Sequence, residues 1–175
     1  KYIEPVAETY AYCLMKNHFH LLVRVKTEEE FLEQTSQVKT CEVYGEARDA
    51  KLMFNPSQRF SNLFNAYSKS INKAYGRTGS LFEERFGRIP ITRDSHYEVL
   101  IFYIHFNPQK HGFVKDFRDW QWSSYQSLIG KGGTRLKRAE VIEIYGNPEG
   151  FVNFHQGLLN DKLLERFIDD EFDNE

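Results

Sequence analysis

The sequence predicts an α+β fold, an antiparallel hairpin near the N-terminus followed by helices, on three observations. Residues 8–15 and 18–25 are short, apolar and aromatic-rich stretches separated by Lys16-Asn17. Their length and period-two alternation suit paired strands. Two later stretches, opening at residues 57 and 95, carry apolar residues at helical spacing. Past Lys131-Gly132-Gly133 the chain holds only short segments of helical character.

Taken in order, the first strand is Glu8-Thr-Tyr-Ala-Tyr-Cys-Leu-Met15. In the second, His18, His20, Leu22 and Arg24 share one face, and Phe19, Leu21, Val23 and Val25 share the other. The apolar second set is expected to face the core. Residues 28–56 are acidic and weakly periodic, predicting a short helix near 29–35 and then a loop. Asn55-Pro56-Ser57 opens a strong helix, with Ser57 a plausible N-cap and Gly76 a plausible stop. Phe60, Leu63, Phe64, Tyr67, Ile71 and Ala74 form its apolar face, and Arg59, Asn62, Asn65, Lys69, Asn72 and Lys73 its polar one. After the turn at 77–80, a strand is expected near 86–92. Ser95 and Glu98 match a capping box. The helix they open is expected to run to about Phe106 and stop at Asn107-Pro108. Short helices follow near 123–129, 138–145 and 148–156, then an acidic amphipathic one over 158–172. The expected domains are one over 1–130 and a helical C-terminal extension over 131–175.

Bulk properties bound the function. A chain of 175 residues with 15 Phe and 10 Tyr is long and aromatic enough to bury a core, which excludes a disordered chain. No apolar run approaches bilayer length. The chain starts at Lys1 without a signal-peptide pattern, so a preceding piece and an incomplete first element are expected. Two cysteines, Cys13 and Cys41, make neither a disulfide framework nor a zinc cluster, and the expected compartment is the cytoplasm. Cys13 reads as a buried free thiol. The net charge of −2 hides strong segregation. Residues 28–50 and 161–175 each carry seven acids against two bases. Between 59 and 93, by contrast, Arg59, Lys69, Lys73, Arg77, Arg85, Arg88 and Arg93 face only Glu83 and Glu84. Basic groups among aromatics suit a phosphate backbone with unstacked bases, and equally a solvated helix face.

Two constellations carry chemistry. On a strand, His18 and His20 point the same way, as a two-pronged metal ligand requires. Imidazole suits Mn, Zn, Fe, Ni or Cu, and a hard oxygen as third ligand moves the preference towards Mg or Mn. The same spacing also fits two ordinary core or surface histidines. Tyr103 and Asn107, four residues apart, lie on one helical face. A tyrosine hydroxyl is a nucleophile once a base or metal assists it. The pair also fits an aromatic core residue followed by a helix stop.

Several strings together carry a resemblance. Ala11-Tyr-Cys-Leu-Met-Lys-Asn-His-Phe-His-Leu-Leu-Val23 resembles the signature of the HUH single-strand transposases. Phe60-Ser-Asn-Leu-Phe-Asn-Ala-Tyr67, Asn72-Lys-Ala-Tyr-Gly-Arg77 and Gly79-Ser-Leu-Phe-Glu-Glu-Arg-Phe86 resemble the helix and arginine-rich segment of their REP-associated tyrosine transposase branch. Tyr103-Ile-His-Phe-Asn-Pro-Gln-Lys-His-Gly-Phe-Val114 resembles the tyrosine helix and its exit, and Trp120-Gln-Trp-Ser-Ser-Tyr125 the closing motif. The resemblance covers about residues 9–127.

It implies a ferredoxin-like antiparallel sheet with helices on one face. It also implies an enzyme of DNA transposition that nicks and rejoins single-stranded DNA through a 5′-phosphotyrosine and a free 3′-hydroxyl. Carried over by position, Tyr103 is the nucleophile, and His18, His20 and Asn107 hold a divalent ion, Mg²⁺ or Mn²⁺. Asn in that last position fits the REP-associated branch, where the insertion-sequence branch usually has Gln. The implied partner is single-stranded DNA bearing a hairpin, met by a monomer or a homodimer. Arg59, Lys69, Lys73, Arg77, Arg85 and Arg88 are the candidate DNA-binding residues, with Phe82, Phe86 or Tyr75 as candidate base stackers. The alternative is a domesticated protein that binds hairpin or repeat DNA without transposing itself.

Overall fold

The computed structural model describes residues 2–16, 18–37, 54–82, 87–91 and 97–158. Arg85, Phe86, Cys41, the Ser95 half of the expected capping box and the segment after Leu158 lie outside these. The elements in order are β1 (Ala7–Leu14), β2 (Phe19–Val25), α1 (Glu28–Gln37), α2 (Pro56–Tyr75), α3 (Tyr97–Lys110), α4 (Tyr125–Ile129), α5 (Arg138–Ile144) and α6 (Pro148–Leu158). A single 3₁₀ turn, Phe117–Asp119, separates α3 from α4. The fold is α+β, as expected. The chain divides into two compact units, one made of residues 1–8 and 24–86 and the other of 9–23 and 87–175.

In the first unit, Thr27 and Glu30 form a reciprocal cap at the start of α1. Thr27 Oγ1 accepts from the Glu30 N–H at 3.3 Å and Glu30 Oε2 accepts from the Thr27 N–H at 2.7 Å. α2 is capped by Asn55, not Ser57. Asn55 Oδ1 accepts from the Gln58 N–H at 2.9 Å, and Pro56 fills the first helical position, where a missing N–H costs nothing. Gly76 ends α2 at φ 61°, as expected.

The second unit is built around α3. The two strands pair in sequence across a four-residue connection, which only an antiparallel hairpin permits. Ala11 and Cys13 of β1 and Leu22 of β2 are buried, while Leu14 is exposed and Leu21 and Val23 only half-buried. The core-facing side of β2 is therefore the one that carries His20 and Leu22, the reverse of the expectation. Apolarity misled because a strand with one large helix against it buries whichever face meets that helix. The free edge of β1 is covered by later chain. Leu14 N–H donates to Trp122 O, Ser124 N–H to Tyr12 O and Lys137 N–H to Thr9 O, each at 2.9 Å. Cys13 is a buried thiol whose pKa burial pushes up to about 12.

Helix α3 is apolar on all sides, with Leu100 to His105, Asn107 and Pro108 all buried, as befits a central helix. It runs to Lys110, through the predicted stop. Pro108 removes one helical N–H and crowds the carbonyl of Ile104, a cost of about 3 kcal/mol that burial of the helix outweighs. The stop is Gly112 at φ 69°. Phe113 N–H donates to Pro108 O at 2.8 Å and Gly112 N–H to Gln109 O at 3.0 Å, closing a Schellman motif. Residues 87–91 form no strand. Pro90 has no N–H for a ladder, and Ile89 stays exposed. Val141 of α5 and Phe151 of α6 enter the same core cluster as α3, and Tyr145 Oη donates to Glu98 O at 2.9 Å.

Candidate active site

The second unit brings together the start of β2 and the C-terminal half of α3. His18 sits in the hairpin connection, where its carbonyl accepts from Met15 N–H at 2.8 Å. His20 follows on the helix-facing side of β2. Their ring centroids are 5.0 Å apart, edge to face. Tyr103 is buried beneath them, its ring centroid 5.6 Å from that of His20. Lys110 places its Nζ 5.4 Å from the Tyr103 ring centroid, a positive charge over the aromatic face.

Asn107, one turn beyond Tyr103, is fully buried. Its Nδ2 donates to Tyr103 O at 2.9 Å. A carbonyl only accepts, so this contact fixes the amide orientation and turns Oδ1 the other way. That Oδ1 is buried with no hydrogen-bond partner among the described residues. A buried, unsatisfied amide oxygen costs about 1–3 kcal/mol and marks a place where a ligand would repay it. Two imidazoles and one amide oxygen are a donor set that a divalent ion accepts. Among the described residues no three His, Cys, Asp or Glu side chains are grouped to hold a metal, so the fit rests on counting Asn107.

Sequence reasoning missed His111. Its ring lies 5.4 Å from that of His18, edge to face. The signal was present, because residues 103, 107 and 111 repeat at four-residue spacing down α3 and its cap.

A second pair of histidines lies deeper in the same unit. His105 Nδ1 is 3.0 Å from His155 Nε2, His105 Nε2 is 2.8 Å from Ser124 Oγ, and His155 Nδ1 is 2.8 Å from Phe151 O. The acceptor-only carbonyl requires a proton on His155 Nδ1. With both rings neutral, His105 Nδ1 then donates to His155 Nε2 and Ser124 Oγ donates to His105 Nε2. The Tyr12 N–H donates in turn to Ser124 Oγ at 2.9 Å. Burial holds both imidazoles below their usual pKa, His155 at about 4, and the neighbouring His155 lowers His105 further.

The candidate DNA-binding residues divide between the units. Arg59, Lys69 and Lys73 lie on α2 and Arg77 just past it, in the first unit, whereas Arg88 belongs to the second and Arg85 falls outside the described residues. Phe82 packs within its own unit, 5.3 Å from Phe64 and 5.9 Å from Tyr67 between centroids, and Tyr75 is 74% exposed. Among the described residues no helix is long and apolar enough to cross a membrane.

Comparison with known proteins agrees with the motifs. No protein-family profile matches the chain, and no solved structure matches it. A protein of Haemophilus influenzae named “Putative REP-associated tyrosine transposase” is 24% identical over 145 residues, 81% of this chain and 69% of that protein. One of Escherichia coli named “REP-associated tyrosine transposase” is 30% identical over 73 residues, 42% of this chain and 44% of that protein. The chain is thus similar to two proteins named as REP-associated tyrosine transposases, the family that its motifs resemble.

Proposed function

We propose that this protein cuts and rejoins single-stranded, hairpin-bearing DNA with Tyr103 as the nucleophile, using a divalent ion held by His18, His20 and Asn107. The observation that carries this is the meeting of Tyr103 with His20 at 5.6 Å, one helical turn from the buried, unpartnered Asn107 Oδ1. On this reading a strand and a helix some eighty residues apart supply the metal-binding pair, the nucleophile and the third oxygen ligand.

Tyr103 Oη would attack the scissile phosphorus and lose its proton. A P–Oη bond forms, the P–O3′ bond breaks, and the leaving 3′-oxygen takes up a proton. The product is a 5′-phosphotyrosine and a free 3′-hydroxyl, and attack by another 3′-hydroxyl reverses the step. An ion held by His18, His20 and Asn107 would polarise the phosphate and stabilise charge on the leaving oxygen. The Asn107 Nδ2 contact with Tyr103 O ties the third ligand to the residue that carries the nucleophile. Lys110 brings a compensating charge beside the incoming phosphate.

The test is incubation with end-labelled hairpin single-stranded DNA and Mn²⁺ or Mg²⁺. The expected result is a protein–DNA adduct that survives denaturation and that Tyr103→Phe abolishes. An adduct that survives the substitution places the nucleophile elsewhere, Tyr97 being the next candidate. DNA binding without any adduct supports the domesticated binding protein instead.

A further inference from the structure

A line of aromatic rings leads away from the His18/His20 pair. His111 packs against His18 at 5.4 Å. Phe113 is stacked on His111, with centroids 6.2 Å apart and planes 24° apart, and Trp120 is stacked on Phe113 at 6.0 Å and 26°. His111 is exposed, and Phe113 and Trp120 are half-buried, so the strip reaches solvent along its length. Lys16 sets its Nζ 4.9 Å from the Phe113 ring centroid. Trp120 is held in place by donating Nε1 to Leu14 O at 2.9 Å. Trp122 is 56% exposed, an unusual exposure for so large an apolar side chain.

Phe113 and Trp120 pack partly against the core cluster, while His111 stands exposed. Three rings in near-parallel planes, a fixed tryptophan and a lysine over the middle ring are what a single strand of nucleic acid meets on its binding proteins. Rings take the flat face of any base, and the ammonium takes the phosphate. The strip also starts at the proposed metal site.

Resting on the proposed DNA-cutting function, we propose that His111, Phe113 and Trp120, with Lys16, seat an unpaired nucleotide next to the scissile phosphate. The base stacks along the strip and its phosphate meets Lys16 Nζ. The strip would select single-stranded over duplex DNA, because paired bases cannot offer a face to it.

Trp120 and Trp122 are the chain's two tryptophans, so intrinsic fluorescence reads this surface directly. The full chain carrying Tyr103→Phe, in EDTA, is titrated with a single-stranded hairpin oligonucleotide, with the same sequence fully paired, and with an abasic version. The expected result is saturable quenching by the single strand and at least about fivefold weaker binding by the other two. Phe113→Leu, which keeps the apolar bulk and removes the ring, is expected to weaken binding about tenfold, and His111→Ala about fivefold. Lys16→Gln should reduce the salt dependence of binding by about one charge. Melting curves establish that each variant is folded, and His111→Ala, at an exposed position, serves should Phe113→Leu fail to fold. Equal binding of paired and unpaired DNA overturns the proposal. So does unchanged affinity in the folded variants, or absence of quenching by any DNA, as a protein-binding surface would give. Quenching without a Tyr103 adduct in the unsubstituted chain would leave the strip standing and remove the nuclease. An adduct formed equally well by the His111 and Phe113 variants would do the reverse.

Discussion

Two histidine pairs of similar ring spacing occupy the second unit, and they differ in kind. His18 and His20, 5.0 Å apart, are half-exposed, and His20 packs on Tyr103, one helical turn before an Asn107 amide oxygen with no partner among the described residues. His105 and His155, 5.2 Å apart, are wholly buried, and each nitrogen faces a group that fixes its proton. The inner pair has no capacity left for a ligand and ties α6 to α3 and, through Ser124, to β1. Beside the outer pair, Tyr103 stands one helical turn before a buried amide oxygen that no described residue satisfies. Proximity of two imidazoles therefore says little about their role. What distinguishes them is whether neighbouring polar groups are already satisfied.

The largest effect that would break this contrast is on chemistry. His20→Ala should slow DNA cutting on the order of a thousandfold, while urea unfolding shifts by less than about 1 kcal/mol. A comparable loss of stability would make the outer pair structural too. Next in size is pH. Burial holds the folded-state pKa of His155 near 4, below its unfolded 6.5. As pH falls the unfolded chain takes up the proton first, so this contribution is complete above pH 6.5 and lost towards pH 4. The expected loss is about 3 kcal/mol, read by urea unfolding at a series of pH values. Smaller again is His155→Leu at pH 7, which leaves the His105 Nδ1–H buried without an acceptor and should cost about 2 kcal/mol. This variant should also lose much of the acid sensitivity. The smallest effect sharpens the outer site. Mn²⁺ at ten times its dissociation constant should raise the unfolding free energy by about 1.4 kcal/mol, and Asn107→Ala should abolish that rise.

The sequence carried the outer pair better than the inner one. His-x-His on a strand and Tyr103 with Asn107 on a helix are local spacings, and the periodicities that fix them are visible in a few residues. His105 and His155 stand fifty positions apart, on α3 and on a helix beyond the resembling strings, so no local pattern links them. The end of α3 was misplaced at Pro108 because a proline inside a helix is outweighed only by tertiary burial, which local signals do not contain. Gly112, a visible stop signal four residues later, was the true one. The buried side of β2 was misjudged for a related reason. Alternation tells that a strand has two faces, and only the position of α3 decides which one is covered.

The carbonyl of Phe151 sets the direction of every hydrogen bond back to Ser124, since a change of tautomer in either ring would oppose two lone pairs or two protons. Such a line is a clock as well as a brace. Its two imidazole N–H protons exchange with water only when α6 lifts from α3, so they should be slow-exchanging, low-field signals in a proton spectrum. Their decay after transfer to deuterated water then times the opening of the helix pair without any label or substitution.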